Sequence, residues 1–117
     1  MPTTVLVVDD HQSFRSTARS LLESEGFDVV GEADDGMSAL RASRELQPDL
    51  VLLDVNLPDI DGFDVAARLT AADDAPAVIL VSSRDGSDFG SCVERSGARG
   101  FIPKGELSGA AIEQVLG

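Results

Sequence analysis

The stretch that decides the fold is Val51-Leu52-Leu53-Asp54-Val55-Asn56-Leu57-Pro58. Four apolar residues, Leu50 to Leu53, run unbroken up to the carboxylate of Asp54. Such a run is too short for a helix and is typical of a strand buried on both faces. Pro58 and Gly62 then require loop geometry. Because open α/β sheets bind ligands at the carboxyl ends of their strands, Asp54 is either the plain end of a strand or part of a site.

Strand-like and helix-like segments alternate along the whole chain. Apolar runs predict strands at 4–8, 27–33, 50–54, 77–82 and 99–102, the second of them at an edge. Helical spacing follows each strand, with Gly26 and Gly97 as left-handed ends and Asp34-Asp35-Gly36 and Asp61 as caps. Five such units predict a flavodoxin-like α/β fold, a doubly wound five-stranded parallel sheet of order 2-1-3-4-5 with helices on both faces. Residues 1–117 then form a single domain.

Apolar residues at helical spacing mark the predicted helices. They are Phe14, Ala18, Leu21 and Leu22 in the first, Met37, Leu40 and Leu46 in the second, Phe63, Ala66, Ala67 and Thr70 in the third, and Ile112, Val115 and Leu116 in the last. The fourth, at 88–96, is weak because it contains glycine and serine and has few apolar residues. The last helix is predicted to begin at Leu107.

Composition excludes several classes of protein. The 117 residues are 43% hydrophobic, enough for one core, and no apolar run approaches the roughly 20 residues that span a bilayer. Twenty-one acidic against nine basic residues give a formal charge of −12 without a basic cluster, so direct nucleic-acid binding is not expected. The single cysteine, Cys92, forms no internal disulfide and fits a reducing, cytoplasmic setting.

Three carboxylates should meet at one edge of this sheet. The order 2-1-3-4-5 places the first and third strands side by side, so that Asp9, Asp10 and Asp54 converge. Carboxylates this close repel one another, and a bound cation relieves the repulsion. Oxygen ligands favour Mg²⁺ or Mn²⁺ over zinc. His11, the only histidine, is expected to belong to the first helical turn rather than to act as a ligand or catalyst.

Two further polar residues end strands at the same edge. Ser82 closes the fourth strand and Lys104 follows the fifth. Separately, Ser82 could satisfy a backbone group and Lys104 could be an exposed loop residue. Together with the metal and Asp54, they supply what is needed to place a phosphoryl group on Asp54 and hold its oxygens.

The whole chain resembles the receiver domain of the two-component response-regulator family. The resemblance rests on Asp9-Asp10, Asp54, Asn56-Leu57-Pro58, Asp61-Gly62, Ser82, Phe101 and Lys104. The segments Asp9-Asp10-His11 and Gly100-Phe101-Ile102-Pro103-Lys104 are similar to the subfamily whose output domains carry a helix-turn-helix. No output domain follows Leu116 in this sequence.

The resemblance implies a role for each matching residue. Asp54 would accept a phosphoryl group from a histidine kinase or a small phosphodonor. Asp10, Asp54 and the backbone carbonyl of Asn56 would hold Mg²⁺, with Asp9 helping, often through water. Ser82 and Lys104 would bind the phosphoryl oxygens. Such a domain is not an enzyme for other substrates, because it catalyses only its own phosphorylation and dephosphorylation.

The resemblance also implies how the signal leaves. Phe101 would turn inward when Ser82 moves, changing the surface of the fourth helix and fifth strand. That surface would contact an output domain, a downstream protein or a second copy in a phosphorylation-dependent homodimer. Asn56 and Arg84 would tune the loss of phosphate, and Arg84 could also pair with a phosphoryl oxygen or be a solvated loop residue. Gly105, rather than the proline common in the family, follows Lys104, so a trans bond is expected there.

Two other functions remain open from the sequence. A Mg²⁺-dependent phosphohydrolase of the haloacid-dehalogenase type would need a second acid where Asn56 stands and a cap that this chain is too short to supply. A receiver fold that only binds a partner would not need the intact set of Asp9, Asp10, Asp54, Ser82 and Lys104.

Overall fold

The computed structural model describes residues 2–83 and 92–117. Within these ranges, five parallel strands form one sheet in the order β2-β1-β3-β4-β5. The strands are β1 Thr4–Val8, β2 Asp28–Ala33, β3 Leu50–Asp54, β4 Ala77–Ser82 and β5 Gly100–Pro103. The predicted order is confirmed, and β2 lies at an edge.

Helices cover both faces of the sheet. They are α1 Gln12–Ser24, α2 Gly36–Leu46, α3 Gly62–Thr70, the described part of α4, Cys92–Arg95, and α5 Gly109–Leu116. Side chains alternate between faces along each strand. Leu53 therefore packs on the α2 and α3 side and Leu52 on the α1 and α5 side, so β3 is buried throughout.

Capping residues set the ends of these helices as expected. Asp35 accepts a hydrogen bond from the backbone N–H of Ser38, and Asp61 accepts one from Phe63, each at 2.7 Å. Gly26 and Gly97 have φ of +93° and +85°, the left-handed conformation that favours glycine.

The predicted face of α2 is wrong in part. Met37 and Leu46 are 53% and 43% exposed, whereas Ala39 and Ser43 are buried. Small residues occupy that face because α2 packs closely on the sheet and on α3.

Helices α3 and α5 also differ from prediction. In α3, Ala67 is exposed while Val65 and Leu69 are buried, because the buried stripe is centred one residue away from the predicted one. Helix α5 does not begin at Leu107: a 3₁₀ turn occupies Lys104–Glu106, and the side chain of Ser108 caps α5 by accepting from Ala111 N–H. Residues 88–91 of the predicted fourth helix lie outside the described residues.

In the described part of the chain, no helix has the length and apolar content needed to cross a bilayer.

Candidate functional site

The carboxyl edge of the sheet brings the acidic residues together. Val8 of β1 pairs with Leu53 of β3, so Asp9 and Asp10, which follow β1, lie beside Asp54. Asp9 and Asp54 are 0% and 2% exposed, while Asp10 lies at the surface. One ligand atom from each of Asp9, Asp10, His11 and Asp54 lies within 4.8 Å of the other three. The convergence of three carboxylates therefore holds in the structure.

Lys104 supplies the positive charge of this site. Its Nζ lies 2.6 Å from Asp9 Oδ2 and 3.5 Å from Asp54 Oδ2. It also lies 4.6 Å from the ring centroid of Phe14, near enough for a cation–π contact. Lys104 reaches the site because the 3₁₀ turn begins where β5 ends. It is therefore not a solvated loop lysine.

Ser82 and Phe101 lie on the two neighbouring strands. Ser82 is fully buried at the end of β4, where it pairs in register with Pro103. Phe101 pairs with Leu80 and is half-buried against the core on the α2 and α3 side. Arg84 lies outside the described residues. The peptide bond between Lys104 and Gly105 is trans, as are all others in residues 2–83 and 92–117.

His11 is the residue whose place the sequence did not predict. It occupies the N-cap position of α1 rather than the first turn. Its backbone N–H donates to Asp9 Oδ1 at 2.8 Å, and its Nδ1 lies 3.0 Å from Asp9 Oδ1 and from Asp10 Oδ1. Its position directly after two carboxylates was the available signal.

The loop after β3 is fixed where it leaves the strand. Val55 donates to the Val81 carbonyl at 3.0 Å and accepts from Gly62 N–H at 2.9 Å. A Cβ on Gly62 would collide with the Asp54 carbonyl oxygen and the Val55 Cα, so only glycine allows this approach. The backbone N–H of Asn56 donates to Asp54 Oδ1 at 3.2 Å, which orients the carboxylate.

Burial is the main influence on the charge of Asp54. Burial raises the pKa of Asp54 above its ordinary value, and the charge of Asp9 raises it further. The Asn56 N–H and the Lys104 ammonium act in the opposite direction without cancelling the effect. Ionising Asp54 therefore costs free energy, first through the loss of solvation and then through repulsion from Asp9, and a bound cation can offset both.

The Asp54→Asn variant should reveal the cost of the buried charge as a pH-dependent gain in stability. Folding raises the pKa of Asp54. The contribution of this residue to folding stability is therefore fully present below its ordinary pKa of 3.8 and is lost as the pH rises through the pKa of the folded state. The neutral amide escapes that loss. Thermal unfolding in chelator should show Asp54→Asn melting a few degrees above wild type at pH 7, with the difference shrinking in acid. Asp73→Asn, in an exposed loop, is the control; a wild-type protein as stable as Asp54→Asn at pH 7 would contradict the prediction.

The donor set suits a small divalent cation. Carboxylate oxygens predominate, and Asp9 Oδ2 is buried without a hydrogen-bond partner among the described residues, leaving the Lys104 ammonium to offset its charge. Hard oxygen donors of this kind prefer Mg²⁺ or Mn²⁺. The residues present therefore fit the predicted ion.

Comparison with known sequences identifies the class of protein to which this fold and this site belong. The family model for the response regulator receiver domain matches residues 5–115, and the chain belongs to that family. BvgA, a transcription regulator of virulence factors in Bordetella pertussis, is 41% identical over 102 residues, covering 87% of this chain and 49% of BvgA. The chain thus spans about half the length of such relatives. This likeness supports the predicted resemblance to regulators with helix-turn-helix output.

Solved structures show the same fold. A two-component response regulator of the LuxR family from Aurantimonas sp. SI85-9A1 superposes with a TM-score of 0.88 and 32% identity, covering 99% of this chain and 86% of that one. A chain of the CheX–CheY–BeF₃–Mg²⁺ complex from Borrelia burgdorferi gives 0.86 and 28%, covering 99% and 87%.

Proposed function

We propose that residues 1–117 form a single receiver domain that accepts a phosphoryl group on Asp54 in the presence of Mg²⁺. The observation that carries the proposal is the ammonium of Lys104 held between the buried carboxylates of Asp9 and Asp54. A buried nucleophile beside a fixed cation is the arrangement that phosphoryl transfer requires. The domain is a signalling component that acts only on its own phosphorylation.

The transfer needs few groups. An Asp54 carboxylate oxygen forms the new bond to phosphorus while the donor's bond to phosphorus breaks, releasing histidine from a kinase or acetate from acetyl phosphate. Lys104 and the Ser82 hydroxyl then bind phosphoryl oxygens. Asp10, Asp54 and the carbonyl of Asn56, with help from Asp9, would hold Mg²⁺. When bound by these residues, the ion would supply positive charge to the oxygens being transferred.

We also propose a route by which phosphorylation reaches the surface. Phe101 of β5 and Val93 of α4 pack against the same core cluster. A phosphoryl group on Asp54 would draw Ser82 inward and let Phe101 follow, which changes the surface of α4 and β5. Asn56 and Arg84 would tune phosphate loss. Because the free energy that phosphorylation supplies is modest, it would shift the populations of conformations that already exist rather than create a new fold.

The partners follow from that role. A histidine kinase would donate the phosphoryl group in the cytoplasm. An output domain, a downstream protein or a second copy would bind the α4–β5 surface, and the similar chain from Borrelia burgdorferi belongs to a complex of CheX with CheY. The charge of −12 argues against direct contact with nucleic acid or an anionic membrane.

Incubation of the wild-type protein with acetyl phosphate tests the proposal. Intact mass should show one added phosphoryl group with Mg²⁺ and none with chelator. Steady turnover of a phosphate ester would instead indicate a phosphohydrolase, and an unchanged mass would indicate a domain that only binds a partner.

On the phosphorylated sample, amide exchange should change in residues 92–104; unchanged exchange there would contradict the proposed switch.

A further inference from the structure

Asp59 caps a helix to which it does not belong. Its Oδ1 accepts a hydrogen bond from Gly36 N–H at 2.7 Å, and its Oδ2 accepts one from Met37 N–H at 3.0 Å. These are amides of the first turn of α2, which have no acceptor within the helix. Helix α2 already has its own cap, Asp35, which accepts from Ser38. Asp59 thus adds a link between the β3–α3 loop and α2.

The packing around Gly36 is shaped for this link. A Cβ at Gly36 would lie 3.0 Å from Ile60 Cβ, 3.0 Å from Val65 Cγ2 and 3.1 Å from Asp59 Oδ1. These distances are tighter than ordinary van der Waals contact, so a methyl group at this position would require the loop or Val65 of α3 to move by a few tenths of an ångström. Glycine has a lower helix propensity than alanine, so helix formation alone would favour alanine at position 36. The close approach of the loop explains why glycine stands there instead.

The link fixes the far end of the loop that carries Asn56. Val55 is held at the near end by its hydrogen bonds to Val81 and Gly62. Asp59 fixes the other end on α2, and Pro58 restricts the backbone between them. The amides of Gly36 and then Met37 lower the pKa of Asp59, so the exposed carboxylate stays ionised and keeps both hydrogen bonds at neutral pH.

We propose that Asp59 is a positioning residue for the metal site. By tying the loop to α2, it holds the Asn56 carbonyl where Mg²⁺ requires it. The inference rests on the proposed function, since it concerns the same ion. Mg²⁺ tolerates little departure from octahedral geometry. If the loop moves, the affinity of the site for Mg²⁺ falls even when every ligand is present.

Mg²⁺ titration by calorimetry tests the role of Asp59. The chain has no tryptophan or tyrosine, so calorimetry replaces intrinsic fluorescence. Asp59→Ala should weaken Mg²⁺ binding by about tenfold, the lower end for groups that orient metal ligands. Gly36→Ala should weaken it without any change in charge. Asp59→Asn keeps one acceptor oxygen and should fall between wild type and Asp59→Ala.

Asp35→Ala is the matched control, because it removes a cap and a charge from the same helix end but leaves the loop tied. It should lower the melting temperature of the metal-free protein and leave Mg²⁺ affinity unchanged. Unchanged affinity in Asp59→Ala and Gly36→Ala, or an equal loss in Asp35→Ala, would overturn the inference. A wild-type protein that binds no Mg²⁺ would overturn the proposed function itself, which is a separate result.

Discussion

The Asp54→Asn variant is expected to take up no phosphoryl group from acetyl phosphate, while wild type takes up one. The amide has almost the same shape as the carboxylate but has no anionic oxygen to attack phosphorus. The fold should survive, because Asn56 N–H can still donate to the remaining carbonyl oxygen and Lys104 still pairs with Asp9. Intact mass after incubation with Mg²⁺ is the measurement.

Asp10 is the alternative acceptor that this experiment must exclude. It carries a more exposed carboxylate than Asp54 and lies in the same cluster. Asp10→Asn should slow phosphorylation by weakening Mg²⁺ binding, yet still reach one group per chain at high Mg²⁺. Phosphorylation that persists in Asp54→Asn and disappears in Asp10→Asn would assign the acceptor to Asp10. Asp73→Asn controls for removing a charge elsewhere.

The sequence predicted the sheet well because the strands are nearly continuous apolar runs. The unbroken run Leu50 to Leu53 is typical of a strand buried on both faces, and the structure buries all of β3, so the site lies at the carboxyl end of a central strand. The buried faces of α2 and α3 were harder to predict. Ala39 and Ser43 are buried because α2 packs closely on its neighbours, and neither residue type signals burial on its own.

Contacts within the site that depend on loop geometry could not be predicted. The sequence predicts a helical turn at His11, because residue spacing shows neither where the ring of an N-cap residue points nor which carboxylates it contacts. Asp59 bonds to amides 23 and 22 residues away, and no local pattern records that meeting. The start of α5 was placed too early because Lys104 lies in a 3₁₀ turn, which carries no apolar periodicity.

Replacing Lys104 should have the second largest effect on phosphorylation. It is the only lysine in the chain, and its ammonium is the cation nearest to Asp54 among the described residues. Lys104→Met keeps a long apolar stem against Phe14 but removes the charge that meets the phosphoryl oxygens. We expect the rate of phosphorylation by acetyl phosphate to fall by about 100-fold, as when one oxyanion donor is removed.

The same substitution should also destabilise the metal-free protein, because it leaves the buried carboxylate of Asp9 without its counter-ion. Breaking a buried pair from one side costs about 3 kcal/mol, which denaturant unfolding in chelator can measure. Mg²⁺ should restore much of this stability, since a cation at the site replaces the missing charge, but it should not restore the rate. Lys104→Arg separates the two roles: it keeps the charge and most of the stability, yet its planar fork cannot reproduce the reach of the ammonium. A wild-type phosphorylation rate in Lys104→Met would show that the ammonium serves only to balance Asp9.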